Sequence, residues 1–376
     1  MNNNLKEVAT VFFKMGCFAF GGPAAHIAMM EQEVVEKRKW MTKEHFLDLI
    51  GVTNLIPGPN STEMTMHCGH ERAGKVGLFV AGLAFIIPAI IITGVLAWAY
   101  TTYGELPNIK PFIQGIQPTV IAIILAAVIT LGKKALKTTE LAIIGVLAFA
   151  LCLLGVNEII ALIGVGILGG IYFNLKSANN STTTKKYVLP FLLIPTTTLA
   201  LAKITSLKLF LIFLKVGAVL YGSGYVLFAY LDAELVTKGY LTQQQLMDAV
   251  AAGQFTPGPV LSTATFIGYQ INGIWGALAA TTGIFLPSFL FVLLLNPIIP
   301  KLRASKFFGH FLNAVNASSI AVIAAVMVTM SIETLTNLNA IIILAVSLLL
   351  TFVVKLNVML IIVIGAVLGF ILPMVI

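Results

Sequence analysis

The chain has 376 residues, 58% of them hydrophobic and only 10% charged, with a mean hydropathy of +0.98. A water-soluble domain carries roughly a quarter charged residues, so this composition excludes an ordinary soluble globule and describes a polytopic membrane protein. The net charge of +8 does not indicate nucleic acid, because the basic residues sit in short loops between apolar segments, as the positive-inside rule produces.

The opening MNNNLKEVATVFFKMGCFAFGG makes a poor cleavable signal, since Lys14 interrupts the apolar run and no small-x-small site follows. An apolar stretch over 5–20 ends at Gly21-Gly22-Pro23, and a second, 24–38, runs into Glu36-Lys37-Arg38-Lys39. Residues 43–56 and 60–70 form another such pair, meeting at Pro57-Gly58-Pro59. A piece of about 14 residues covers roughly 21 Å, less than a ~30 Å hydrocarbon core. These pairs are therefore expected to be re-entrant helical hairpins with Gly/Pro tips buried in protein, two steeply tilted spans being the alternative. Spanning helices are expected over 76–99, 112–131, 139–155 and 157–174. The polar stretch 176–186 reads as a cytoplasmic linker and 187–204 as one extra crossing. The later spans are 275–295, 317–332, 340–354 and 356–376.

The second half repeats the first. Pro57-Gly58-Pro59 recurs as Pro257-Gly258-Pro259, Phe12-Phe13-Lys14-Met15-Gly16 as Phe213-Leu214-Lys215-Val216-Gly217, and Trp40-Met41-Thr42 as Tyr240-Leu241-Thr242. Gly21-Gly22-Pro23 aligns with Gly222-Ser223-Gly224, Glu33 with Glu234, Asp48 with Asp248, Asn54 with Gln254, and Pro88 with Pro287. The repeats are placed at 1–175 and 205–376, with 176–204 as linker plus extra helix. Loop charge orients them. Lys37-Arg38-Lys39-Lys43, Arg72/Lys75, Lys133-Lys134-Lys137 and Lys176/Lys185/Lys186 mark cytoplasmic loops, whereas 101–108 and 155–158 carry little positive charge. In the second half the alternation is reversed, with Lys301, Arg303 and Lys306 in the basic loop. The fold class is thus all-α, an inverted-topology repeat whose halves each hold short broken hairpins and about four spanning helices.

Broken helices at matching places in two repeats point to a transporter binding site. A proline after glycine ends one helix and starts another. The new N-terminus presents unpaired N–H groups and a positive dipole end, which favour anions. Pro23, Pro57, Pro59, Gly224, Pro257 and Pro259 are the helix-breaking positions. The candidate substrate-binding residues around them are Gly21, Gly22, Asn54, Gly58, Ser61 and Thr62 in the first half. In the second they are Gly222, Ser223, Gln254, Gly258, Ser262 and Thr263. Lys14 and Lys215 are candidate counter-charges, because a cation at membrane depth usually faces an interior cavity and a partner; snorkelling to the interface is the other reading. Gln117 and Asn316 either line the pathway or bridge helices.

Other patterns carry less. Gly69-His70-Glu71-Arg72-Ala73-Gly74-Lys75-Val76 resembles a phosphate loop but lacks the final Ser/Thr and follows a helix. Glu63, His67 and His70 share one helix face; a metal site there is disfavoured, and Glu63 or His67 are alternatives for proton coupling. Three cysteines in or beside apolar helices argue against a disulfide framework. No catalytic motif is present, and no cofactor or metal is expected.

Phe20-Gly21-Gly22-Pro23-Ala24-Ala25-His26-Ile27, Trp40 and Pro57-Gly58-Pro59, with the run Lys215 to Val226 and Thr256-Pro257-Gly258-Pro259, resemble the chromate ion transporter family in its long, two-domain form. The resemblance covers nearly the whole chain. It implies a multi-pass inner (plasma) membrane protein that exports chromate, with sulfate as competitor, driven by the proton motive force. Chromate and sulfate are tetrahedral dianions, for which helix N-termini, hydroxyls and lysines are suitable partners. The expected partners are such an oxyanion, the lipid bilayer and a second copy of the chain as a homodimer, and no nucleic acid. The halves depart from symmetry at Gly22-Pro23 against Ser223-Gly224 and at His26 against Leu227.

Overall fold

The computed structural model describes residues 3–20, 22–106, 108–178, 204–221, 224–295 and 305–375. Gly21, Gly222, Ser223 and residues 187–203 of the crossing expected over 187–204 lie outside the described residues. The described elements are all helical. In the first half they are α1 (Asn3–Phe18), α2 (Gly22–Met30) continued by a π-helical turn (Glu31–Lys37), and α3 (Lys43–Thr53). Then come α4 (Asn60–Tyr103), α5 (Lys110–Ala135), α6 (Thr139–Leu153) and α7 (Glu158–Ala178). The second half repeats this order as α8 (Ser206–Val219), α9 (Val226–Leu231) with a π turn (Asp232–Val236), and α10 (Gln243–Phe255). A 3₁₀ turn (Val260–Ser262) leads into α11 (Thr263–Leu295), followed by α12 (Lys306–Thr334), α13 (Leu338–Leu349) and α14 (Val358–Val375). Five of these are long and apolar enough to cross a bilayer, and three shorter apolar helices accompany them.

The repeated sequence signals have local structural reasons. Thr42 and Thr242, which end the repeated Trp-Met-Thr and Tyr-Leu-Thr, are N-caps of α3 and α10, accepting from the backbone N–H of His45 and Gln245. The long α4 and α11 are each two helices joined by a reversal. Ala73-Gly74 and Asn272-Gly273 have the same non-helical pair of conformations, with φ of 64° at Gly74 and 55° at Gly273, where a side chain would be strained. The reversal is tight. Thr265 Oγ1 lies 2.7 Å from Thr281 Oγ1, 16 residues away, whereas a straight helix would separate them by ~24 Å. A Cβ on Gly69 would collide with Gly77 and Ala81 across the first reversal, and one on Gly268 with Gly276 and Ala280 across the second. The limbs 60–72 and 263–271 therefore return along the spans that follow them. Each is the second arm of a hairpin whose tip is Pro-Gly-Pro, as a re-entrant arrangement requires.

The halves interlock antiparallel. Phe79 of α4 stacks on Phe289 of α11 at 5.5 Å, and the same Phe289 fills the space above Gly82. The early part of one long span thus lies beside the late part of its equivalent. On one flank α5 packs on α14 through Gly115 against Gly365 and Gly369, with Phe112 stacked on Phe370 at 4.5 Å. On the other α12 packs on α7, with Val315 against Gly166 and Phe311 against Gly170. Gly166-x-x-x-Gly170 and Gly365-x-x-x-Gly369 hold equivalent positions and let backbones approach closely. Equivalent spans that run antiparallel are related by a pseudo-two-fold axis across them, so the repeat is inverted with respect to the membrane.

Candidate functional site

The two Pro-Gly-Pro tips are docked reciprocally. Gly58 N–H donates to the carbonyl of Leu220 at the end of α8 at 2.7 Å, and Gly258 N–H donates to the carbonyl of Ala19 just past α1 at 2.9 Å. Each tip thus sits on the first helix of the other half. Both glycines have positive φ, 143° and 85°, which the prolines on either side cannot supply. Behind each tip is the proline of the opposite long span. A Cβ on Gly258 would approach Ala89 Cβ to 2.9 Å beside Pro88, and one on Gly58 would collide with Ser288 Oγ beside Pro287. The glycine amides are consumed by this docking, so the donors left for a ligand are hydroxyls, amides and the turns that follow.

Those turns are enclosed. Residues 61–69 and 261–268 are buried without interruption, although the first run reads Ser-Thr-Glu-Met-Thr-Met-His. Such a polar limb in the middle of a membrane protein is expensive unless it serves a ligand or a pathway. Buried side-chain atoms with no hydrogen-bond partner gather here: Thr62 Oγ1, both carboxyl oxygens of Glu63, His67 Nε2, Ser262 Oγ, Ser288 Oγ and Gln254 Nε2. Buried polar groups are satisfied in the great majority of cases, so this concentration marks the region. Thr263 hydroxyl is occupied by the carbonyl of Val260 at 2.8 Å, and Ser61 is buried.

A cavity of about 20 Å³ lies against the second tip, lined by Ala19, Phe20 and Gly22 from the first half and by Tyr225, Gln254 and Gly258 from the second. It has room for about one water molecule, so little open space adjoins this tip. At the first tip Asn60 Nδ2 donates to Asn54 Oδ1 at 2.7 Å, and this pair is exposed. His26 is buried, and its Nε2–H donates to the Ala19 carbonyl at 3.0 Å, the same oxygen that receives Gly258 N–H. In the second half, Leu227 stands where His26 does, and Tyr230 Oη donates to Val219 at 2.9 Å instead.

The structure brings together Gly22, Gln254 and Gly258 at one tip, and Gly58 with the Thr62–Glu63 turn at the other. Lys14 and Lys215 face elsewhere. Lys14 is exposed on α1 in a groove with Glu33 and Arg38. Lys215 Nζ is paired with Glu234 at 2.6 Å, which also holds Lys238 at 2.5 Å. Gln117 is buried and donates from Nε2 to Asp248 Oδ1 at 2.9 Å, while Tyr100 donates to Oδ2 at 2.6 Å. Asn316 is half-buried on α12. Among the described residues no three His, Cys, Asp or Glu gather as metal ligands. Sequence reasoning missed Ser288 and the Asp248 network. Ser288 directly follows the aligned Pro287, and a polar residue next to a duplicated helix break was the available signal. The repeat aligned Asp248 with Asp48, but did not show that Asp248 is buried against Gln117 and Tyr100 while Asp48 is exposed.

The family model described as Chromate transporter matches residues 6–171 and 207–370. A chromate transport protein of Cupriavidus metallidurans is 28% identical, over 93% of this chain and 88% of its own length. One of Pseudomonas aeruginosa is 28% identical, over 85% and 79%. An uncharacterized transporter of Methanocaldococcus jannaschii is 30% identical, over 93% and 90%. No solved structure matches the chain.

Proposed function

The chain belongs to the chromate transporter family, and on that premise we propose that it is a secondary transporter exporting chromate from the cytoplasm, driven by the proton motive force. The observation that carries the reading is the reciprocal docking of the two tips, Gly58 on Leu220 and Gly258 on Ala19. It places two helix starts and their unspent hydroxyls on either side of one pseudo-two-fold axis. A tetrahedral dianion is met there by Thr62, Ser262, Ser288 and Gln254, with Gly22 and the following turns as backbone walls. Ser61, Thr263 and Asn54 complete the surroundings, and Lys14 and Lys215 stand outside them.

Chromate transport proteins among the relatives support the substrate. Sulfate has the same shape and charge and is the second candidate; nothing in the hydroxyl set separates the two. The setting is the plasma membrane of the cell. Inside-out vesicles carrying the protein should accumulate radiolabelled chromate, and a protonophore should abolish the accumulation. Accumulation of sulfate but not chromate would move the substrate to sulfate, and accumulation of neither would end the oxyanion reading.

A further inference from the structure

Glu63 has no role in the site as described, and it stands at the first tip. Its carboxyl lies where a Cβ of Gly58 would sit, next to Ser288 Oγ. The residue is 0% exposed, and neither oxygen has a well-aligned hydrogen bond, although the Ser288 hydroxyl is adjacent. Among the described residues no cation pairs with it. The ionisable groups beside it are His67, one turn along the same limb, and Tyr221, next to the docked Leu220. From α11 it meets Ser288, and Lys14 of α1 faces another groove. Its equivalent in the second half is a hydroxyl residue, so a single carboxyl serves the pair of tips.

An uncompensated carboxylate is costly as an anion in such a place, and a dianion beside it raises that cost. We infer that Glu63 carries a proton that enters and leaves the site together with the oxyanion, so that anion and proton bind cooperatively. The inference rests on the transport reading above and adds the sign of its coupling. By reciprocity, anion affinity rises with proton binding and proton affinity rises with anion binding. A dianion and one proton cross as a single negative charge. A membrane potential negative inside then drives the pair outward, and the proton gradient alone opposes it. The electrical part of the proton motive force is what powers export.

The test uses the purified full chain in proteoliposomes with an imposed potassium diffusion potential, a lumenal pH dye and labelled chromate. Chromate's own protonation is common to all variants and cancels in the comparison. Wild-type protein should move protons in the same direction as chromate, and Glu63→Gln should move one fewer proton per chromate. In equilibrium binding, wild-type affinity should fall as pH rises, and Glu63→Gln should flatten that dependence. If Glu63→Gln cannot be purified, Ser288→Ala should displace the pH midpoint of binding while leaving a pH dependence in place. Protons moving opposite to chromate, or a Glu63→Gln protein with the wild-type proton ratio and pH profile, would overturn the coupling and leave the substrate reading intact. Wild-type liposomes that move no oxyanion would overturn both.

Discussion

Gly58→Ala is the sharpest perturbation of the docked tips. Gly58 has φ of 143°, and a side chain held at an unfavourable φ costs ~1–3 kcal/mol. Its new Cβ would collide with Glu63 Oε1 and Ser288 Oγ, and overpacking of a well-filled interior costs ~1–3 kcal/mol. Any shift that relieves the collision stretches the 2.7 Å bond from Gly58 N–H to Leu220, worth ~0.5–1.5 kcal/mol. The expected loss is the sum, about 2.5–7.5 kcal/mol. Gly239→Ala is the control. Gly239 also has positive φ, 72°, but open space around it, so only the backbone term of ~1–2 kcal/mol applies. Thermal unfolding of both variants in detergent should place Gly58→Ala well below Gly239→Ala. Adding Ser288→Gly to Gly58→Ala removes one collision and should recover ~1 kcal/mol, leaving the backbone strain. Equal melting midpoints for the two single variants would refute the packing of the tip against Ser288.

Three further outcomes follow from the same geometry. His26→Leu copies the second-half residue and removes one of two bonds to the Ala19 carbonyl; a loss of ~1 kcal/mol and a lower chromate transport rate are expected, measured by melting and vesicle flux. Asp248→Leu strands the Tyr100 and Gln117 donors and should cost ~2–4 kcal/mol, whereas the triple change with Tyr100→Phe and Gln117→Leu should recover most of it. Cysteines placed in loops 133–138 and 333–337 should be labelled from opposite sides of the membrane, and labelling from one side would sink the inverted topology.

The halves, their inversion and the re-entrant hairpins were legible because each rests on a local signal that the sequence states twice. Pro-Gly-Pro breaks a helix, and Thr42 and Thr242 cap one. The sharp reversals at Gly74 and Gly273 were less legible, since a lone glycine inside an apolar run usually costs little and changes nothing. The candidate site was half legible. Hydroxyls after the tips could be found by position, but the direction of Lys14 depends on which face of α1 meets α4, and that face is set by Val8, Phe12 and Met15. Glu63 was visible on one helix face with His67 and His70, where it or His67 was an alternative for proton coupling, without a way to choose between them. Only packing shows that Glu63 and His67 are enclosed while His70 reaches the margin.

One asymmetry is not written in the residues at all. Asp48 and Asp248 are the same amino acid at equivalent places on α3 and α10, yet Asp48 is exposed and Asp248 is 5% exposed. Asp248 holds Gln117 of α5, and α10 packs along α5 and α14, while α3 makes no comparable contact with α12 or α7. Identical side chains in different surroundings signal two conformations of one unit. In an inverted repeat the opposite-facing state is reached when the halves exchange conformations. The residue on α12 equivalent to Gln117 is Asn316, already half-buried. In the exchanged state α3 should therefore close onto α12, Asp48 should meet Asn316, and Gln117 should be released by Asp248. Cysteine pairs test this without any structure. Asp248→Cys with Gln117→Cys should cross-link in the state described here, and Asp48→Cys with Asn316→Cys only in the other. Imposing the opposite membrane potential in the presence of chromate should raise one yield as it lowers the other. If both pairs cross-link in parallel, or the second never does, the two hairpins do not trade places and the transport cycle must use other moving parts.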